Sequence, residues 1–232
     1  MGSGSGLWRR WPLLISVAFV LLLAVGHVVV GARPPDVTAS GDQVVAYFRD
    51  DGAAIRASAW LTILALLPFG VLAAWFRRQV RGVARDVLLL GGATYIVVQT
   101  LWQVLSAAPA LHPDQLDPHT ARILLDLAGY VGPMLTAGVI LFAAPIAWAS
   151  LRHDNAASSW FAWFSVLLVV EQALETVTIL GTSGLIAPGG PMNFPLGAVL
   201  FVLWVLACGA AFPAGGTTLP VGVDANQKAV TA

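Results

Sequence analysis

The sequence contains six long apolar runs, and these runs limit the possible folds more than any other feature. Of its 232 residues, 58% are hydrophobic and 10% are charged, against roughly 25% charged in ordinary soluble domains. About 20 apolar residues in helical form cross the ~30 Å hydrocarbon layer of a bilayer. The sequence therefore predicts an all-α, polytopic transmembrane helical bundle, with spans at residues 11–30, 57–76, 87–107, 118–150, 159–180 and 194–212.

The polar segments predict one membrane domain with a tail at each end. We expect a single six-helix domain over residues 11–213, a disordered tail over 1–10 and a flexible tail over 214–232, both cytoplasmic. The first run has an alternative interpretation as a signal peptide, because residues 30–32 resemble a cleavage site. The run is longer than the ~7–15 residues of a signal core, which favours an uncleaved helix.

Two helix starts are marked by the sequence between the spans. Ser40 and Gln43 form a capping-box pattern and predict a short helix over residues 42–50. Its amphipathic pattern predicts that it lies at the membrane surface, between the first two spans. Asp117 and Pro118 have the pattern of an N-cap and a first-turn proline. The helix that follows is long enough to protrude, tilt or bend, at roughly 50 Å against a ~30 Å hydrocarbon layer.

Basic residues predict the orientation of the bundle. Eight lie on one side and four on the other when the connections alternate, and the side with more Lys and Arg is cytoplasmic. Both termini are therefore predicted inside. Tryptophans prefer membrane interfaces. All the tryptophans except Trp204 fall towards the ends of the predicted spans, which agrees with this topology. A strong Ala, Gly, Val and Arg bias favours a bacterial source, and hence a multi-pass protein of the inner (plasma) membrane.

Two glutamates inside the fifth apolar run predict a polar site. Glu171 and Glu175 are four residues apart and so share one helix face. An acidic residue inside a span is costly and commonly functional. Gln99 and Gln103 form a similar pair at the same predicted level of the third span. If the two helices face each other, these side chains meet in the outer half of the bundle, where Thr94, Tyr95, Thr136 and Thr178 are candidates to join them.

Each candidate residue also has a structural interpretation. Glu171 and Glu175 either bind a proton, a cation or a small polar solute, or form a hydrogen-bonded hub that holds helices together. Asp126 either lines an entrance to the glutamates or forms an ordinary ion pair with Arg122, four residues earlier. The predicted function is accordingly the handling of a proton, cation or polar solute. The alternative is a non-catalytic accessory or structural subunit that binds another membrane protein.

The remaining motifs do not favour an enzyme or a cofactor protein. Cys208 is the single cysteine, which excludes an internal disulfide and a multi-cysteine metal site. The histidines and aspartates of residues 112–119 match no metal spacing, and no span carries the paired histidines of a transmembrane haem. Residues 181–184 resemble the Gly-x-Ser-Gly of rhomboid proteases, but no histidine follows His153. We therefore expect no metal and no cofactor. The expected partners are membrane lipids and either another membrane protein or a second copy, with no nucleic acid.

Residues 47–81 read YFRDDGAAIRASAWLTILALLPFGVLAAWFRRQVR. This stretch resembles a pattern in uncharacterised six-helix membrane proteins of actinobacteria, in which a Tyr-Phe pair precedes a span closed by a basic cluster. The resemblance implies six spans and carries no activity.

Overall fold

The computed structural model describes residues 10–152, 157–187, 190 and 192–212, with backbone alone at 193–195. Every regular element in this part of the chain is helical. The predicted tails, 1–10 and 214–232, lie outside the described residues except for Arg10. The α-helices are α1 (Trp11–Ala24), α2 (Gly41–Asp50), α3 (Gly52–Phe76), α4 (Val83–Ala107), α5 (Pro118–Leu151), α6 (Ser159–Glu175) and α7 (Ala198–Ala211).

Five helices are long and apolar enough to cross a membrane, which confirms the helical membrane class. They are Trp11–Val30, Gly52–Gln79, Val83–Leu111, Pro118–Leu151 and Ser159–Leu180. The predicted sixth span corresponds to a π-helical segment, Met192–Gly197, followed by α7. The fourteen residues of α7 rise only about 21 Å, so a sixth crossing stays a prediction.

The helix boundaries differ from the predicted spans mainly at the N-terminal ends. Helix α3 begins at Gly52 rather than residue 57, and α4 begins at Val83 rather than residue 87. Gly82, before α4, has φ of +59°, a backbone conformation that glycine adopts without strain. Helix α5 is a single 34-residue helix despite Pro133 and Pro145. Polar first turns therefore extend α3 and α4 beyond their apolar runs.

Helices α4 and α5 pack with their backbones very close together. A Cβ added at Gly91 of α4 would overlap the backbone nitrogen of Phe142, and one at Gly138 of α5 would lie 2.7 Å from the backbone nitrogen of Tyr95. Both contacts have the antiparallel spacing expected of consecutive helices. Gly91 and Gly138 therefore lie where the two backbones come closest. Small residues allow such approach and the dispersion contacts that hold membrane helices together.

The centre of the bundle is an aromatic core to which six helices contribute. Its buried rings are joined by centroid distances of 4.6–6.4 Å, and aromatic pairs at such separations attract beyond their area burial. Trp204 has no exposed surface, and its Nε1–H donates to Ser165 Oγ at 2.8 Å. The core aromatics are Phe19 (α1), Phe69 and Phe76 (α3), Tyr95 (α4), Phe142 (α5), Phe161 (α6), Phe201 and Trp204 (α7), and Phe212 directly after α7.

The bundle has two chemically different ends. At one end the start of α1 meets the end of α3, where the rings of Trp11 and Trp75 lie 4.8 Å apart, and Phe212 joins Phe76 at 6.1 Å. We call this the basic end, because four arginines lie there, three between α3 and α4 and one in the first turn of α4. The opposite end, where α2 packs, is called the cap end.

Helix α2 has the predicted capping box but buries its apolar face in protein. Ser40 Oγ accepts from the backbone N–H of Gln43, and the Gln43 side chain accepts from the backbone N–H of Ser40. Val44, Val45 and Phe48 are buried in a second small core with residues of α3 and α5. Helices that lie on a membrane surface and helices that pack against a protein core are both amphipathic. Packing alone therefore accounts for the pattern, and a position at the membrane surface stays a prediction.

Candidate functional site

The two glutamates of α6 share one hydrogen-bond donor. Gln172 Nε2 donates to Glu171 Oε2 at 3.0 Å and to Glu175 Oε2 at 2.8 Å. A carboxamide nitrogen carries two hydrogens, so both are used within this group. Gln172 and Glu175 are each 4% exposed, whereas Glu171 is partly exposed. We call these three residues the carboxylate cluster.

Two oxygens in this region are buried without a hydrogen-bond partner among the described residues. They are Oε1 of Glu171 and Oγ1 of Thr178, which lies on the same helix one turn beyond Glu175. A buried polar atom that makes no hydrogen bond costs free energy, on the order of 1–3 kcal/mol. The carboxylate cluster thus combines two acids, one shared donor and spare acceptor capacity.

Gly197 closes the cluster from the neighbouring helix. A Cβ added there would overlap Oε2 of Glu175 and would lie 3.1 Å from Nε2 of Gln172. Because position 197 has no side chain, the two polar groups of α6 lie directly against the helix that leads into α7. Glu175 and Gln172 are therefore packed between helices, whereas Glu171 is partly exposed.

Gln99 lies at the same depth as Gly197. The rings of Tyr95 in α4 and Phe201 in α7 are 5.1 Å apart, and the two helices run in opposite directions. Four residues from Tyr95 towards the cap end is Gln99 on α4, and four residues from Phe201 in the same direction is Gly197, directly before α7. Because four residues are about one helical turn, or ~5.4 Å, on each helix, Gln99 and Gly197 lie at the same depth. The sequence predicted that Gln99 lies level with Glu171, whereas the contact of Gly197 with Glu175 puts Glu175 near the depth of Gln99. A shared site of the two pairs stays a prediction.

The structure does not bond the glutamine pair to the glutamates. Helix α5 packs against both α4 and α6, which share almost no direct contact. Gln99 and Gln103 are 3% and 5% exposed, and neither carboxamide is hydrogen-bonded to another described residue. Gln172, rather than the predicted Gln99, provides the bond to both acids. Four of the polar side chains that the sequence offered for this site are buried: Tyr95, Gln99, Thr136 and Thr178.

Asp126 lies apart from the carboxylate cluster and belongs to the cap end. It pairs with Arg122 Nη2, as its ion-pair interpretation predicts. The same guanidinium donates from Nη1 to the backbone oxygen of Asp36 at 3.1 Å. Arg122 thus joins the first connection to α5. The α4–α5 contacts set residue 134 of α5 opposite Gln99, and Asp126 is eight residues, roughly 12 Å, further towards the cap end.

Three titratable groups outside the spans have shifted pKa values. Hydrogen bonds from the backbone and side chain of Thr38 lower the pKa of Asp36. Those from the side chain and backbone of Thr120 lower the pKa of Asp117, the predicted N-cap of α5. Burial raises the pKa of Tyr47 to about 12, and the Asp51 carboxylate adds to this shift. These groups support the local structure of the cap end.

The described residues contain no group of three or more His, Cys, Asp or Glu side chains placed to hold a metal ion. A shallow cavity of about 170 Å³ lies at the basic end, between α5 and α6. It is lined by Ser150, Leu151, Ser159, Ala162 and Trp163. This cavity is distant from the carboxylate cluster and offers it no enclosed volume.

Fold and site together define a class: an all-helical chain whose five long apolar helices are those of a multi-pass membrane protein, with acidic side chains packed inside it. Compared with family models, with curated proteins and with solved structures, the chain matches none of them. The chemistry of the carboxylate cluster is therefore the basis for a function.

Proposed function

We propose that the carboxylate cluster binds and exchanges a proton or a small cation within the membrane. The observation that carries this proposal is the buried Oε1 of Glu171, which lacks a partner while Oε2 shares its donor with Glu175. The donor that Glu171 shares is a neutral carboxamide, so no charge on Gln172 offsets the Glu171 carboxylate. In a low-dielectric site a proton or cation is the simplest means of neutralising it.

The surrounding polar side chains support this proposal. Gln99 and Gln103 are buried, and Thr178 Oγ1 is buried without a hydrogen-bond partner among the described residues. Buried polar groups normally bond to protein or to ordered water. Water or a polar solute near these groups would connect the depth of Glu175 with the cap end. A small polar solute is thus a third possible cargo for the same site.

The alternative proposal is a non-catalytic accessory subunit in which the cluster is structural. The observation that favours it is the direct bonding of both acids to Gln172, together with the close packing of Glu175 on Gly197. In that case the cluster holds α6 against α7, and the protein acts by binding another membrane protein.

Reconstitution into liposomes with an internal pH dye tests the two proposals. Imposed proton and K⁺ gradients should produce a flux that Glu171→Gln abolishes. Asp86→Asn is the matched control, because this carboxylate at the basic end is 69% exposed and lies outside the cluster. Both variants should accumulate and melt like the original protein. Absence of flux from the unmodified protein, or a normal flux from Glu171→Gln, would contradict proton or cation handling. Poor accumulation of Glu171→Gln alone would favour the structural alternative.

A further inference from the structure

The basic end carries a dense group of exposed arginines. Arg77, Arg78, Arg81 and Arg85 lie within nine residues, and all four are exposed; we call them the arginine cluster. Arg10 and Arg152 lie at the same end. In the described part of the chain, this end has a single carboxylate, Asp86, at 3.6 Å from Arg85. Among the described residues, the four charges of the arginine cluster therefore have one carboxylate beside them.

The arginines of the cap end are engaged differently. Arg49 Nε pairs with Asp114 at 2.9 Å, and Arg56 Nη1 donates to the backbone oxygen of Ala110. Arg122 bonds Asp126 and the first connection, as described above. Protein oxygens thus accept hydrogen bonds from three cap-end guanidinium groups, whereas the side chains of the arginine cluster are exposed.

Exposed tryptophans lie at the same end of the bundle as the arginine cluster. Trp148, near the end of α5, is 60% exposed, and Trp160 and Trp163, near the start of α6, are 59% and 66% exposed. Indole rings concentrate where the hydrocarbon meets the lipid headgroups. The Arg78 guanidinium lies 5.8 Å from the ring centre of Trp75, in the last turn of α3. The rings therefore place the arginine cluster at headgroup height.

We propose that the arginine cluster binds the phosphate groups of anionic phospholipids. Guanidinium groups bind phosphate oxygens in pairs, and basic residues beside a membrane helix attract anionic lipid. A lipid headgroup is favoured over nucleic acid or an acidic protein because the cluster is level with the tryptophans. At that height the lipid phosphates surround the protein on all sides. This proposal is independent of the carboxylate cluster.

The full-length protein in mixed micelles of phosphatidylglycerol and phosphatidylcholine provides the test. Native mass spectrometry would count the retained lipids of each kind. We expect Arg77→Gln/Arg81→Gln to lower the preference for phosphatidylglycerol more than tenfold, at about fivefold for each arginine. The matched control, Arg33→Gln/Arg49→Gln, removes two exposed charges from the cap end and should leave the preference unchanged.

Further measurements distinguish lipid binding from a general attraction for negative charge and from a loss of stability. Arg77→Lys/Arg81→Lys retains the charge and should keep most of the preference, and all variants should melt alike in phosphatidylcholine alone. The proposal would be overturned if the unmodified protein retained phosphatidylglycerol and phosphatidylcholine equally. It would also be overturned if Arg33→Gln/Arg49→Gln lost as much preference for phosphatidylglycerol as Arg77→Gln/Arg81→Gln. Displacement of the bound lipid by an acidic peptide or an oligonucleotide at equal charge concentration would overturn it too, since the surface would then favour a soluble polyanion.

Discussion

Gly197 and Glu175 are fitted to each other, because a Cβ at position 197 would overlap the Oε2 atom of Glu175. The glutamate and the chain segment before α7 therefore occupy one shared space. A side chain at 197 can be accommodated only if the carboxylate moves away from Gln172.

Gly197→Ala should destabilise the protein by about 1–3 kcal/mol, as overpacking of a tight contact does. The second substitution Glu175→Ala should recover most of this loss by removing the overlapping carboxylate. Thermal unfolding of both single variants and the double variant in detergent gives the coupling between the two positions. Purely additive losses would show that Glu175 does not fill the space beside Gly197.

Gly91→Ala should destabilise the bundle more than Gly70→Ala. An added Cβ at 91 meets the backbone of Phe142, which cannot rotate away, whereas at 70 the nearest atom is Ile96 Cδ1 at 3.8 Å. We expect a loss of about 1–3 kcal/mol at Gly91 and little change at Gly70. Melting temperatures measured in the same detergent compare them directly, and equal effects would contradict the close contact of α4 and α5.

Trp204→Phe should leave the Ser165 hydroxyl without its buried donor. The expected loss is about 1–3 kcal/mol, combining the missing hydrogen bond with the smaller ring. Ser165 Oγ also donates to the backbone oxygen of Phe161 at 2.9 Å, so Ser165→Ala removes both bonds. If the Trp204–Ser165 bond matters, the double variant will be less unstable than the sum of the single variants. Exact additivity in urea unfolding would argue against it.

Arg122→Ala should be more harmful than Arg49→Ala. The Arg122 side chain is 17% exposed and joins Asp126 to the first connection, whereas the Arg49 side chain in its pair with Asp114 is 53% exposed. We expect about 1.5–3 kcal/mol for the buried charged bonds and at most ~1 kcal/mol for the surface pair. Differential unfolding measurements on both variants would reveal the order, and the reverse order would be inconsistent with Arg122 joining these segments.

The start of α5 should loosen in acid because of Asp117. Its pKa in the folded protein lies below the ordinary value of 3.8, owing to its bonds to Thr120. Its stabilising effect is therefore complete above that value and is lost as the pH falls through the lowered pKa. Hydrogen exchange at the amides of His119 and Thr120 should accelerate over this interval. Asp117→Asn keeps an acceptor that does not titrate, so its exchange rates should lack this acid step.

Much of the helical framework could be predicted from the sequence, because apolar run length and capping residues act locally. The Ser40 capping box and the Asp117 cap follow from residue type and spacing alone. The same local spacing indicated the Arg122–Asp126 pair. Amphipathicity does not distinguish lipid from protein, which is why the surroundings of α2 could not be predicted.

The partners inside the site depend on helix arrangement and were therefore beyond prediction from the sequence. Gln172 lies between the two glutamates in the sequence, yet its role was missed because adjacent positions on a helix do not usually face each other. Gly197 is distant in sequence from Glu175, and no pattern links them. The mid-span position of Trp204 was a usable signal, since an indole away from the interface needs a partner for its N–H.

The unequal arginines and aspartates of the two ends also have an electrical consequence. Among the described residues, the basic end has six arginines and one aspartate, and the cap end has four arginines and seven aspartates. Moving one elementary charge across a membrane potential of ~100 mV changes the free energy by about 2.3 kcal/mol. Turning the molecule over would move several charges against that potential, at a cost above ~10 kcal/mol. An energised membrane therefore favours the orientation with the basic end on its negative side.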